Sequence, residues 1–152
     1  MTKRKIYIGA DSAGYPLKEK LKAHLTEHGY DVTDMGTGST ASCHYPEYAA
    51  KVCREVQAAP DTTFGILVCG TGIGMSMCAN KFHGVRAAVC SDTYSARLTR
   101  NHNNANVLCL GARVIGECLA EDVLDAFLSA DFEGGRHQIR LDMMKAIEDE
   151  NR

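Results

Sequence analysis

The 152-residue chain contains no apolar stretch approaching the roughly 18 residues that a membrane-spanning helix needs. It also lacks a charge excess of either sign: 17 basic residues stand against 19 acidic ones, a net −2. No general electrostatic attraction to nucleic acid or to a membrane surface is expected, so both are excluded as partners. There is no internal repeat, low-complexity tract or linker, and a single domain over residues 1–152 is expected, long enough to bury a core without staples. The seven cysteines are odd in number and form no regular framework, and neither a Cys-x-x-Cys pair nor a His-Glu-x-x-His run occurs. A reduced cytoplasmic protein without a metal is the simpler reading. Met1 to Lys5 leads into an apolar run that breaks at Gly9, which does not fit a secretory signal.

What is present is an alternation of short apolar runs with longer segments of helical period. Ile6 to Ile8, Tyr30 to Thr33, Phe64 to Val68, Val85 to Cys90 and Asn106 to Leu110 read as strands. Pro16 to His28, Tyr48 to Ala58, a segment ending at Asn80, Asp92 to Arg100, Gly116 to Phe127 and Gly135 to Glu150 read as helices. This order predicts an α/β fold of three layers, Rossmann-like, with about five parallel strands and helices on both faces. Ligands of such sheets sit beyond the carboxyl ends of the strands. That rule selects Asp11, Cys69 with its glycines, Asp92 and the Gly111-Ala112-Arg113 turn.

Cys69-Gly70-Thr71-Gly72-Ile73-Gly74 follows the most apolar strand and precedes a helix. Gly70, Gly72 and Gly74 would let backbone N–H groups converge on an anion at a helix start. The spacing fits neither a dinucleotide fingerprint nor a phosphate-binding P-loop. A cysteine at the mouth of such a loop is favoured as thiolate and can act as a base; alone at a strand end it would be a small buried apolar residue. Arg136 and Arg140, four apart after Gly134-Gly135, share a helix face and would clamp a phosphate, or would be a solvated basic face. His102, in what reads as a polar loop with Asn103, is either an acid–base group or merely exposed. Asp11 would hold sugar hydroxyls or cap the next helix, and Tyr45 would line the site or brace its loop.

Taken together, the chain resembles ribose-5-phosphate isomerase B, within the wider group that includes the galactose-6-phosphate isomerase subunits. The resemblance spans nearly the whole chain. It is carried by Gly9-Ala10-Asp11, by His44-Tyr45-Pro46 (usually Asp-Tyr-Pro), by Cys69 to Gly74, and by Ala79-Asn80-Lys81. It continues through Gly84 to Ala87, Tyr94-Ser95-Ala96, His102-Asn103, Gly111-Ala112-Arg113 and Gly134 to His137.

The resemblance implies an aldose–ketose isomerase of a phosphorylated sugar that needs no cofactor. Cys69 would shuttle a proton between C1 and C2, Thr71 and the loop amides would stabilise the enediolate, and His102 would assist ring opening. Asp11, Ser12, Tyr45 and Asn103 would contact the sugar, and Arg113, Arg136 and Arg140 the phosphate. The resemblance also implies a homodimer with shared sites, in which His102, Asn103 and Arg113 cross from the partner; whether dimers pair into a tetramer is left open. Ser12 stands where ribose-phosphate members usually carry His, so the preferred sugar is open: ribose 5-phosphate leads, with a hexose 6-phosphate such as galactose or allose 6-phosphate, a tetrose phosphate, or a non-catalytic binding subunit as alternatives.

Overall fold

The computed structural model describes residues 3–151. Five parallel strands form one sheet: β1 (Lys5–Ala10), β2 (Val32–Asp34), β3 (Thr63–Cys69), β4 (Ala87–Val89) and β5 (Val107–Gly111), in the order β2-β1-β3-β5-β4. The helices are α1 (Tyr15–Glu27), α2 (Tyr45–Ala58), α3 (Ile73–Ala79), α4 (Thr93–Asn103), α5 (Glu117–Ser129) and α6 (Arg136–Glu150). β3 is buried along its whole length, as a central strand covered on both sides must be.

The apolar side chains divide by face. Leu17, Leu21 and Leu25 of α1, Ala96 of α4, and Val123, Leu124 and Phe127 of α5 pack with Ile6, Ile8, Ile66 and Leu108 on one side. Val52, Cys53 and Val56 of α2 and Met75 and Ala79 of α3 pack with Leu67, Cys69, Val107 and Cys109 on the other. Stepping from β1 to β2 and from β4 to β5 puts the helix on the first face; stepping from β2 to β3 and from β3 to β4 puts it on the second. This is what crossovers of a single hand require. The sheet reverses its building direction between β1 and β3, and there the carboxyl ends of neighbouring strands open a crevice. Asp11 and Cys69 stand at its two sides.

Four elements differ from the sequence reading. α2 starts at Tyr45 instead of Tyr48, because Pro46 fits the first helical turn. β2 and β4 have only three residues each, the edge strands being cut short. α4 runs on through His102 and Asn103, which are therefore not in a loop.

One polar cluster pins the β2 edge. Lys18 is fully buried on α1, and its Nζ lies 2.5 Å from Asp34 and 2.8 Å from Glu19. Burial opposes ionisation of Asp34, yet hydrogen bonds from Lys18, Lys22 and the Gly36 N–H outweigh it and pull its pKa down to about 2. A carboxylate depressed in the fold stabilises fully above its ordinary value and loses that contribution as the pH falls through about 2. Asp34→Asn strands the Lys18 charge on Glu19 alone, at a cost of about 2 kcal/mol. Thermal melts at pH 7 should show a drop of about 4–8 °C. The gap to the wild-type protein should close as the pH falls from 4 toward 2; a constant gap would mean that Asp34 is not held ionised.

Candidate active site

At the carboxyl end of β3 the chain turns sharply into α3. Gly72 takes φ +79°, and a Cβ there would meet the Leu110 backbone and Val89. The turn aims the Gly72 N–H at the Cys69 sulfur, 3.1 Å away. Thr71 Oγ1 accepts from the Ile73 N–H at 3.2 Å, and the residue is exposed. α3 has only seven residues, so the sulfur's polar contact is this single N–H from Gly72 more than a long macrodipole.

The β5 turn is stitched to this loop. Ala112 N–H donates to Cys69 O at 2.9 Å and Arg113 N–H to Gly70 O at 3.0 Å. Gly111 packs so tightly on Thr71 that an added Cβ would lie 2.6 Å from the Thr71 carbonyl oxygen. Arg113 is exposed, and its guanidinium lies 3.5 Å from where a Cβ on Gly70 would stand. Tyr45, at the start of α2, lays its ring against Gly74, where a Cβ would come within 2.7 Å of ring carbons. Asp11 Oδ1 accepts from the Gly14 N–H at 2.9 Å, which braces the turn into α1. Asp11 thus serves the turn and not the cap of α1, whose N-cap position is Gly14 with no side-chain cap bond, and its second carboxylate oxygen is left for a ligand. Ser12, beside it, is half-buried.

His102 and Asn103 are elsewhere. α4 starts beyond the carboxyl end of β4 and must run back to feed β5, which is parallel to β4. Its 11 residues cover about 16 Å at 1.5 Å each. Its last turn thus lies at the amino edge of the sheet, opposite Cys69. Arg86 confirms the placement: it precedes β4 and its Nε donates to Asn104 O at 2.8 Å. The start of α6 joins this end, with the His102 and His137 rings stacked at 4.1 Å and 9° between planes. Arg136 and Arg140 are both exposed there, and among the described residues neither forms an ion pair with an acid.

The structure therefore sorts the candidates into two groups. Cys69, Gly70, Thr71, Gly72, Gly74, Tyr45, Asp11, Ser12 and Arg113 share the carboxyl edge; His102, Asn103, Arg136 and Arg140 share the amino edge. Arg113, which the resemblance groups with His102 and Asn103, follows the end of β5 at the carboxyl edge, whereas His102 and Asn103 end α4 at the amino edge. Glu133, at the amino edge, is singled out by nothing in the sequence, and His137, which enters the sequence reading only as part of the resemblance, is buried. Glu133 Oε1 lies 3.5 Å from His137 Nε2 and 3.9 Å from His102 Nε2. Burial first, then the neighbouring His102, lower the His137 pKa. No spacing motif links Glu133 to His102, 31 positions earlier; only the packing of α4 against α6 does.

The ribose/galactose isomerase family model matches residues 6–144. The chain belongs to this family. It is 50% identical over 145 residues to ribose-5-phosphate isomerase B of Escherichia coli, covering 95% of this chain and 97% of that one. It is 47% identical over 131 residues, 86% of each chain, to a D-erythrulose-4-phosphate isomerase of Pectobacterium atrosepticum. The crystal structure of Mycoplasma genitalium ribose-5-phosphate isomerase B with bound ribulose 5-phosphate superposes with a TM-score of 0.94 at 40% identity, covering 99% of both chains. The fold is thus shared with that relative, whose structure holds a five-carbon ketose phosphate.

Proposed function

We propose that this chain is a cytoplasmic, cofactor-free isomerase interconverting ribose 5-phosphate and ribulose 5-phosphate, its single domain acting in a homodimer. The observation that carries the reading is the Gly72 N–H on the Cys69 sulfur at the switch point between β1 and β3, in a chain of this family. The seven unpaired cysteines suit a reducing compartment.

The chemistry asks for three things: a base over C1–C2, donors for the developing oxygen charge, and a distant anchor on the phosphate. The Cys69 thiolate removes the C2 proton of the open-chain aldose and returns it to C1. Electron density passes to O1, giving an enediolate held by Thr71 and the Gly70–Gly74 amides; one such donor is worth about 3 kcal/mol in the transition state. The O2 hydroxyl proton is transferred to O1, so that the C2 carbonyl forms as C1 takes the proton back. His102 serves the ring-opening step, and Asp11, Tyr45 and Asn103 hold hydroxyls.

Because the two residue groups lie at opposite edges of one chain, the reading requires that His102, Asn103, Arg136 and Arg140 come from a second copy. An unpartnered apolar stripe supports this: Ile139, Met143 and Ile147 are exposed at four-residue spacing on α6, with Met144 beside them. Arg113 of one chain would then meet the partner's arginines on one phosphate. Arg136→Ala and Arg140→Ala should raise KM about ten- to hundred-fold each while kcat moves little, since they anchor atoms remote from the reacting carbons. Unchanged KM in both would make them ordinary surface charges.

The substrate is tested with four-, five- and six-carbon aldose phosphates assayed on one preparation, with ribose 5-phosphate expected to give the highest kcat/KM. Ser12 sharpens that test. Serine is shorter than histidine and carries no charge, so it leaves room at the phosphate end for a water or another carbon. Ser12→His should shift the kcat/KM ratio toward ribose 5-phosphate over a hexose 6-phosphate by about five- to thirty-fold. An unchanged ratio would show that Ser12 does not read chain length.

A further inference from the structure

Among the described residues, His137 Nε2 is the one buried side-chain nitrogen or oxygen without a hydrogen-bond partner. His137 is 5% exposed, and the unpartnered atom faces Glu133 and His102. Ligand atoms of His102, Glu133 and His137 all lie within 4.8 Å of one another. A buried polar atom kept without a partner costs free energy unless something occupies the space before it.

We infer that His102, Glu133 and His137 form a binding site for a divalent transition cation of the zinc class, whose occupation inhibits the enzyme by capturing His102. Two imidazoles and one carboxylate are ligands that zinc accepts, and three protein ligands leave a fourth position open. Zinc–ligand bonds of about 2.0–2.2 Å place two tetrahedral ligands about 3.4 Å apart. The His137–Glu133 separation of 3.5 Å already has that value, and His102–Glu133 is 3.9 Å. The two imidazoles stack face to face at 4.1 Å and 9°, so one ion can take both only after the partly exposed His102 ring turns out of the stack and brings its Nε2 lone pair toward the buried His137, with the exposed Glu133 closing on them.

The frame around them is fixed. Glu133 N–H donates to Asn101 O at 3.0 Å and His137 N–H to Gly134 O at 3.1 Å, tying the segment to α4 and to the start of α6. Arg136 and Arg140 lie on the same helix end and oppose a cation, so the site is a reversible one, not a structural metal centre. The inhibitory part of the inference rests on the role proposed for His102; the binding part does not.

The test therefore begins with binding. Zn2+ is titrated into the purified protein in competition with a chromophoric chelator, and Co2+ is added as a spectroscopic substitute. One Zn2+ per chain is expected, with a visible cobalt spectrum free of sulfur-to-metal charge transfer. Glu133→Gln, a surface change, and His137→Asn should each weaken the binding at least tenfold. Zn2+ should also inhibit isomerisation reversibly, with EDTA restoring activity and Glu133→Gln resisting inhibition. Affinity unchanged in Glu133→Gln, or a cobalt spectrum with thiolate bands, would overturn the site. Binding as expected without inhibition would overturn only the capture of the catalytic histidine.

Discussion

Cys69→Ala is expected to lower kcat by on the order of 10³-fold or more while leaving KM and the fold nearly unchanged. The substitution removes the one group placed to take a proton from carbon, and general bases contribute about 10²–10⁴ in rate. It removes no contact to the phosphate or the hydroxyls, so ground-state binding survives. Structurally the change is mild. Cys69 is 5% exposed at a strand end, and trading a thiol for a methyl there leaves only a small void and an unpartnered Gly72 N–H. A cost of about 1–2 kcal/mol in stability is expected, readable as a modest loss in a thermal melt. Turnover within tenfold of wild type would remove Cys69 from the role of base.

His102→Ala is expected to cost about 10²–10⁴-fold in kcat on ribose 5-phosphate, for a different reason. This aldose is mostly a closed ring, and the ring oxygen must gain a proton before C2 becomes acidic. An aldotetrose 4-phosphate cannot close the five-membered ring, because its O4 carries the phosphate. If His102 serves ring opening, its loss should hurt the tetrose phosphate far less than the pentose phosphate. Equal losses on both substrates would move His102 from ring opening to the proton transfers at O1 and O2.

How much of this was legible in the sequence differs from residue to residue. β3 and its loop were plain, because a fully buried strand is a continuous apolar run and a left-handed turn at Gly72 leaves glycine in the sequence. His102 was harder. The segment Thr99 to Asn104 is polar and reads as the end of a helix. Yet Arg100 is 3% exposed, its guanidinium over the Phe64 and Phe127 rings and bonded to Asn104 Oδ1 and Ala105 O. That buried arginine holds one more helical turn in place, and Asn104 at φ 48° ends it. Periodicity counts arginine as outward-facing and so stops the helix too early. The division of the site between two edges, by contrast, was implicit in element order. A helix joining two parallel strands must deliver its last turn to the amino edge, whatever its sequence. Glu133 stayed hidden because its meaning lies in a contact between α4 and the loop before α6, which no local pattern encodes.

The central claim is that each site is assembled from two chains. It is tested most directly by mixing Cys69→Ala with His102→Ala under conditions where subunits exchange. Each parent dimer carries a defect in both of its sites. In a mixed dimer one site collects both defects and the other collects none. Equal mixing at random gives half of the dimers as mixed, so about one quarter of all sites should be intact. Activity on ribose 5-phosphate should rise from near zero to about a quarter of the wild-type level at the same chain concentration. If the mixture stays at the level of its parents while labelled subunits are seen to exchange, Cys69 and His102 act within one chain, and the two-chain site is wrong.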